Sequence, residues 1–220
     1  NFGRFVIFTS LLSFSVALAS PFFAVYMLKN LEFNYITFTI VSISASLTTI
    51  FFMPIWGKFS DKYGNVKVMN LTGIFVSLIP LLWLFSIYLK DYFYLVVVYL
   101  VVLELVSGFL WAGLNLSTGN FVYDAVSRER MALCVAYNNI LGSFGAFLGA
   151  TIGGIISSFN FSFFGLSSIL FVFAISFFAR LSVSLFLLPK VKEVRKVGTF
   201  KMRKIREKFV VFSPKYLWHA

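Results

Sequence analysis

Long apolar stretches with at most one charged residue each, separated by short polar segments, dominate the chain. Five such stretches cover residues 5–28, 33–57, 68–89, 92–123 and 131–189. Only two of them hold a charged residue, Glu104 in the fourth and Arg180 in the fifth. A helix needs about 20 mostly apolar residues to cross the ~30 Å hydrocarbon core of a bilayer. The fifth stretch is long enough for two helices, and the polar segment 157–165 divides it.

This pattern predicts six membrane-spanning helices. Their predicted bounds are 5–28, 35–56, 68–89, 93–118, 131–157 and 166–188. Helices are favoured over strands because runs of this length do not alternate with a period of two. The predicted fold is an all-α membrane protein, a bundle of six transmembrane helices that occupies residues 1–189, followed by a tail at 190–220.

Composition excludes a soluble domain and most kinds of enzyme. Hydrophobic residues make up 60% of the chain and charged residues 12%, about half the charged fraction of a soluble domain. One cysteine and one histidine exclude a cysteine-rich metal site and argue against zinc. The predicted spans contain no histidine cluster and no paired carboxylates. We therefore expect neither a metal, nor a cofactor, nor an enzyme.

The distribution of basic residues predicts the orientation. One side of the bundle holds Arg4, Lys58, Lys62, Lys67, Arg128, Arg130 and the ten basic residues after Pro189. The opposite side holds only Lys29 and Lys90. Because basic residues are retained in the cytoplasm, both ends of the chain are predicted to be cytoplasmic.

The tail after Pro189 combines basic residues with apolar ones at helical spacing. Met202, Ile205, Phe209 and Phe212 follow the spacing i, i+3, i+7, i+10. This pattern predicts a basic amphipathic helix that lies on the anionic inner leaflet of a membrane. No nucleic-acid recognition fold accompanies the net charge of +11, so we expect no nucleic-acid partner.

The segment between spans two and three, IWGKFSDKYGNVKV, carries the most specific motif. Gly57, Asp61, Lys62, Gly64 and Lys67 fit the pattern G-x-x-x-D-[RK]-x-G with a basic end. This resembles the signature loop of the major facilitator superfamily, although Asn65 and Val66 replace two basic residues of the family pattern. The two glycines are expected to supply positive φ for a tight reversal. The resemblance implies a loop that latches two halves of a transporter; alternatively, its lysines only set the topology.

A second similarity to the family lies at the junction of spans four and five. In DAVSRERM, residues 124–131, Asp124 is followed by Arg128 and Arg130. We expect Asp61 to pair with one of these arginines and Asp124 to pair with Lys62. Exposed pairs contribute only about 0–1 kcal/mol each, which suits a latch that opens in every cycle. The alternative is that these charges have no specific partner.

Span five carries three glycines at intervals of four residues. Gly145, Gly149 and Gly153 fall on one helix face, where small residues permit close helix packing. The segment also resembles a glycine-rich motif of antiporters in the superfamily, but Ala150 replaces the expected proline. We interpret it mainly as a packing motif.

The resemblance implies that spans one and four line a central substrate cavity. The candidate cavity residues are Phe22, Phe23, Tyr26, Glu104, Trp111 and Asn115. Pro21 is expected to open the backbone of span one near the first three. The last three share one face of span four, and few charges accompany them, which favours a hydrophobic or amphipathic substrate.

Glu104 lies near the midplane and has several interpretations. It could be a proton-coupling carboxylate, bind a cationic substrate, pair with Arg180, or remain protonated without a role. The estimated depths of Glu104 and Arg180 differ by only about 5 Å, which would allow a pair if their helices adjoin. Alternatively, Arg180 extends toward the cytoplasm.

The resemblance implies one half of a 12-helix transporter in the cell membrane. Its partners would be a small-molecule substrate, in one option a proton, and the other six-helix half. The absent initiator Met favours a C-terminal half; an N-terminal half ending in a central linker and a six-helix homodimer are the alternatives. The expected function is secondary transport by alternating access. The rival is a transporter-like sensor that binds its ligand without moving it.

Overall fold

The computed structural model describes residues 1–159, 162–163 and 166–195, and these residues are almost entirely helical. The α-helices are α1 (Phe2–Ala17), α2 (Ser20–Val25), α3 (Tyr35–Tyr63), α4 (Asn65–Leu84), α5 (Phe93–Ala125), α6 (Met131–Ser158) and α7 (Ser168–Phe186). A π-helical turn, Tyr26–Asn30, continues α2, and short 3-10 segments occupy Phe85–Leu89, Arg128–Arg130 and Leu188–Lys190. Two short strands, β1 (Ser162–Phe163) and β2 (Leu166–Ser167), pair antiparallel between α6 and α7. The predicted amphipathic helix of the tail lies outside the described residues.

Six helical stretches of the described chain are long and apolar enough to cross a membrane. They are Phe2–Asn30, Tyr35–Tyr63, Asn65–Leu89, Phe93–Ala125, Arg128–Ser158 and Ser168–Lys190, and we number them spans one to six. The prediction of an all-α bundle with six spanning helices is therefore confirmed.

The junction between spans two and three is shorter than predicted. Span two continues to Tyr63 and span three begins at Asn65, so Gly64 alone separates them. Gly64 has φ 97°, a conformation that favours glycine. Gly57 instead lies inside α3, and its predicted part in the reversal is wrong. Hydropathy marks where a chain leaves the hydrocarbon, whereas charged residues at that point need not interrupt a helix.

Both ends of the described chain meet on one face of the bundle. The backbone N–H of Lys192 donates a 2.9 Å hydrogen bond to the Asn1 side chain. Gly64 and the junction between spans four and five lie on this side as well, because every second helix junction returns to it. We call it the terminal face, and the opposite side the far face.

The helix contacts follow an internal symmetry. Span two packs along span four, and span one packs along span five. Span three contacts spans four and six, and span six contacts span one. Exchanging spans one, two and three for spans four, five and six reproduces this set of contacts. Such nested three-helix repeats are a recurrent architecture of secondary transporters.

An aromatic core fills the bundle toward the far face. Trp83 of span three is 1% exposed and contacts Tyr26 and Phe23 of span one and Phe173 of span six. The Tyr26 hydroxyl lies 2.9 Å from the Ser86 hydroxyl, so its polar tip is satisfied. Spans one, three and six are thereby joined at this end.

Candidate functional site

A cavity of about 550 Å³ opens between spans one, four and five on the terminal side of the midplane. Span one lines it with Thr9, Leu12, Ser13, Val16, Ala17 and Ser20. Span four contributes Trp111, Leu114, Asn115, Thr118, Gly119, Val122 and Tyr123, and span five contributes Val135, Asn138, Asn139 and Ala146. Its size lies within the range of small-molecule sites.

Three carboxamides, together with several hydroxyl groups, line this cavity. Thr9 donates its hydroxyl to the Asn138 carboxamide oxygen at 2.7 Å, which leaves the Asn138 amide group as a donor. Asn115 and Asn139 are exposed, and their side chains form no hydrogen bond within the described chain. A smaller cavity of about 330 Å³ shares Ser13 and continues the cleft along span five. The site can both donate and accept hydrogen bonds.

The structure distributes the predicted cavity residues between two places. Trp111 and Asn115 line the cavity. Tyr26 is 2% exposed and belongs with Phe23 to the aromatic core toward the far face, so neither faces the cavity. Phe22 lies against span five near Gly153 instead.

Glu104 is also absent from the cavity wall. Its Oε1 accepts a 3.2 Å hydrogen bond from the Trp83 indole N–H of span three. Glu104 precedes Trp111 by two turns of span four, which places it further toward the far face. A shared helix face therefore does not give all three span-four candidates the same surroundings.

Span one is broken beside the cavity, between α1 and α2. Pro21, in the first turn of α2, has no N–H to continue the hydrogen-bond ladder. The N–H of Ala19 bonds the Val16 carbonyl at 3.2 Å instead of the Ser15 carbonyl. The break thus leaves the Ser15 carbonyl without its helical donor, and the Val16 carbonyl accepts from Ala19 instead of from Ser20.

Span six supplies the donors that the broken helix lacks. The Ser176 hydroxyl donates to the Ser15 carbonyl at 2.6 Å, and Arg180 Nη2 donates to the Val16 carbonyl at 3.3 Å. Arg180 Nε also donates to Ser176 at 3.0 Å, and the residue is 2% exposed. A cation at the buried carboxyl end of α1 is also stabilised by the negative end of the helix dipole.

These contacts correct two expectations for Arg180. It does not extend toward the terminal face, because its guanidinium lies against the backbone of span one. It does not pair with Glu104, which bonds to Trp83. Similar depth allowed this pair, but the two side chains point toward different helices.

The three glycines of span five lie directly against span one. A Cβ atom at Gly145, Gly149 or Gly153 would come within 2.2–2.4 Å of a backbone carbonyl oxygen of span one, at Ser10, Phe14 or Leu18 respectively. The two helices therefore approach at backbone distance from the midplane toward the far face, as in other small-residue contacts of membrane helices.

At the terminal face, polar contacts surround the Gly64 junction. Asn65 donates its carboxamide N–H to Asp124 at 2.7 Å, which ties the start of span three to the end of span four. The Glu193 carboxylate accepts the backbone N–H of Val66 at 2.9 Å and so satisfies a free donor at the beginning of α4.

Arg195 joins two carboxylates in this cluster. It lies 3.4 Å from Asp61 at the end of span two and 3.9 Å from Asp124. The expected pairs of Asp61 with Arg128 or Arg130, and of Asp124 with Lys62, are absent and therefore wrong for this structure.

The remaining charged residues of the predicted latch lie around the junction. Arg128 and Arg130 are exposed in the 3-10 turn that begins span five. Lys62 lies over the Tyr63 ring at 5.2 Å, and Lys67 is exposed in the first turn of α4.

Sequence reasoning missed Thr9, Ser13, Asn138 and Asn139, although a signal for them was present. Thr9 and Ser13 are one turn apart, and the two asparagines lie one turn from Gly142 in an otherwise apolar span. Arg195 had no such signal, because it is one of ten basic residues in its segment.

The comparison with known families identifies the chain. The family model of the Major Facilitator Superfamily matches residues 5–220, nearly the whole sequence. No curated protein sequence matches it. The chain therefore belongs to the Major Facilitator Superfamily and is a multi-pass membrane protein of the transporter type.

Proposed function

We propose that this protein moves a small solute across the cell membrane by alternating access, with the cavity between spans one, four and five forming one wall of the transport site. The observation that carries the proposal is the position of the cavity. It lies where two inverted repeats meet and beside a broken helix, as substrate sites do in other secondary transporters.

A second six-helix half would complete the site. Spans two and five are the least buried of the six, and both present many exposed apolar side chains. A covering half would bury this surface and close the open side of the cavity. The membrane alone could cover the apolar part, but it offers no partner to the three carboxamides.

Reconstitution separates transport from ligand sensing. The protein would be placed in liposomes, and solute entry would be compared with solute binding measured in detergent. Saturable entry that exceeds entry into protein-free liposomes supports transport. Binding of the solute without entry into the liposomes would instead support ligand sensing. No reaction is assigned to the cavity, and we propose no enzyme activity.

Proton coupling through Glu104 is the finer part of the proposal. Glu104 is the one acidic residue among the described residues of the spans that lies away from both membrane faces, and its hydrogen bond to Trp83 would change when it binds a proton. We expect Glu104→Gln to retain solute exchange but lose uptake driven by a proton gradient. Gradient-driven uptake at the unaltered rate would remove Glu104 from the mechanism.

The terminal-face cluster is proposed as a latch on the cytoplasmic side. Arg195 connects spans two and four through the exposed Asp61 and the partly buried Asp124, at separations of 3.4 and 3.9 Å, and such contacts are weak enough to break in each cycle. The preponderance of basic residues on this side supports the orientation. The basic tail would then contact anionic lipid of the inner leaflet.

A further inference from the structure

The charges within the membrane region are turned away from the cavity. Among the described residues that line it there is no aspartate, glutamate, lysine or arginine. Glu104 accepts a hydrogen bond from Trp83 of span three, and Arg180 of span six donates one to the Val16 carbonyl of span one, so neither charged side chain lines the cavity. A charged solute on this wall would lose water without gaining a countercharge, which is unfavourable in a low-dielectric site.

The uncharged polar groups of the cavity are arranged for hydrogen bonding. Asn138 is oriented by the Thr9 hydroxyl, so its amide group remains available as a donor. Asn115 approaches from span four and Asn139 from span five, and each offers both a donor and an acceptor. Trp111 adds a flat apolar surface beside them. Together they match a solute with hydroxyl or amide groups on a small carbon skeleton.

We propose that this wall recognises an uncharged, hydrogen-bonding solute through the carboxamides of Asn115, Asn138 and Asn139. This inference rests on the proposed transport function and adds the class of solute. It replaces the sequence-based expectation of a hydrophobic or amphipathic substrate with a polar and neutral one.

Two matched sets of probes test the charge preference. The first set is glucose, glucuronate and glucosamine; the second is succinamide, succinate and 1,4-diaminobutane. Within each set the skeleton is nearly constant while the charge is neutral, negative or positive. Binding would be measured by the shift in thermal unfolding temperature of the purified protein. We expect a concentration-dependent rise with at least one neutral probe and none with its charged analogues.

Asparagine variants test the residues. Asn115→Leu and Asn139→Leu keep the side-chain size but remove the carboxamide, and each should weaken binding of the neutral probe about tenfold, the equivalent of one net hydrogen bond. Asn120→Leu is the matched control, since Asn120 lies on span four outside the cavity wall. It should leave binding unchanged.

Several results would overturn the inference. They are binding of charged probes in preference to neutral ones, binding of none of the neutral probes, or equal affinity in the asparagine variants and the control. Flux measurements then distinguish this failure from failure of the transport function. Saturable flux of a charged probe, unaltered by Asn115→Leu, would reject the solute class but keep transport. A neutral probe that binds without crossing would reject transport but keep the recognition.

Discussion

Two helix pairs occupy equivalent places in the internal repeat but have opposite character. Between spans two and four the terminal side is closed: the Trp56 indole donates to the Phe109 carbonyl at 2.8 Å, and Phe52 packs edge-on against Phe109. Between spans one and five the same level holds Thr9, Asn138 and the cavity.

Both pairs are held by glycine near the midplane. A Cβ atom at Gly108 of span four would lie 2.1 Å from the Ala45 carbonyl oxygen of span two, and one at Gly149 would lie 2.2 Å from that of Phe14. The repeat therefore fixes where the helices touch. Side-chain chemistry on the terminal side decides which pair is closed and which one can hold a solute.

The largest expected effect comes from disrupting the glycine contact of spans one and five. Gly149→Leu places a side chain into the backbone of span one and should lower the free energy of unfolding by about 3 kcal/mol, the upper end for overpacking. Gly154→Leu is the matched control, because a Cβ atom at Gly154 has no neighbour within 4 Å. Thermal unfolding in detergent measures both. Equal stability of the two variants would contradict the close approach.

The next largest effect is expected at Arg180, which donates a hydrogen bond to the broken helix of span one. Arg180→Met leaves the Val16 carbonyl without its span-six donor and should cost about 1–3 kcal/mol. Pro21→Ala lets the helix run on through the break, where the Ser20 N–H can bond the Val16 carbonyl, so the loss caused by Arg180→Met should shrink in the double variant by at least about 0.5 kcal/mol. Chemical unfolding of the four proteins gives the coupling. Strictly additive losses would show that Arg180 acts independently of the break.

Two tryptophans then compare the closed pair with the open one. Trp56→Phe removes the hydrogen bond to Phe109 and should destabilise the protein by about 1 kcal/mol. Trp111→Phe removes an indole N–H that has no hydrogen-bond partner within the described chain, and should change stability less while weakening probe binding. The same unfolding assay checks the first effect. A larger loss of stability for Trp111→Phe than for Trp56→Phe would contradict the structural role assigned to the pair of spans two and four.

The smallest effect is expected at the terminal face. Arg195→Gln removes the pairs with Asp61 and Asp124, in which the Asp61 side chain is 69% exposed. The stability change should be below about 1 kcal/mol, because exposed ion pairs are screened by water and salt. Uptake rates should respond more than stability if the cluster is a latch. Unaltered uptake at low and high salt would contradict that role.

Hydropathy and glycine spacing were sufficient to predict the six-helix fold and one of its packing faces. Six spans followed from uninterrupted apolar length, and the four-residue spacing of Gly145, Gly149 and Gly153 identified a helix face. These signals depend on composition within one helix. They need no knowledge of which helix lies opposite.

Predicting the site required knowing which helices lie opposite each other, and the sequence does not show this. Depth along a helix placed Glu104 near Arg180, but only tertiary packing turns Glu104 toward Trp83 and Arg180 toward Val16. Similarly, Asp61 pairs with Arg195, which lies 134 residues away. The neutral cavity residues were passed over because intramembrane charge is the more conspicuous signal.

Chemical modification of the cavity tests most directly whether it is the route of transport. Ser13→Cys would be made in a Cys134→Ala background, with Ser158→Cys, outside the cavity wall, as the control. Uptake of the neutral probe that binds most tightly would be measured in proteoliposomes before and after complete reaction with a bulky thiol reagent. We predict that modification at position 13 abolishes saturable uptake, that bound solute slows this modification, and that modification at position 158 does neither. Full uptake after complete modification at position 13 would contradict the assignment of the cavity.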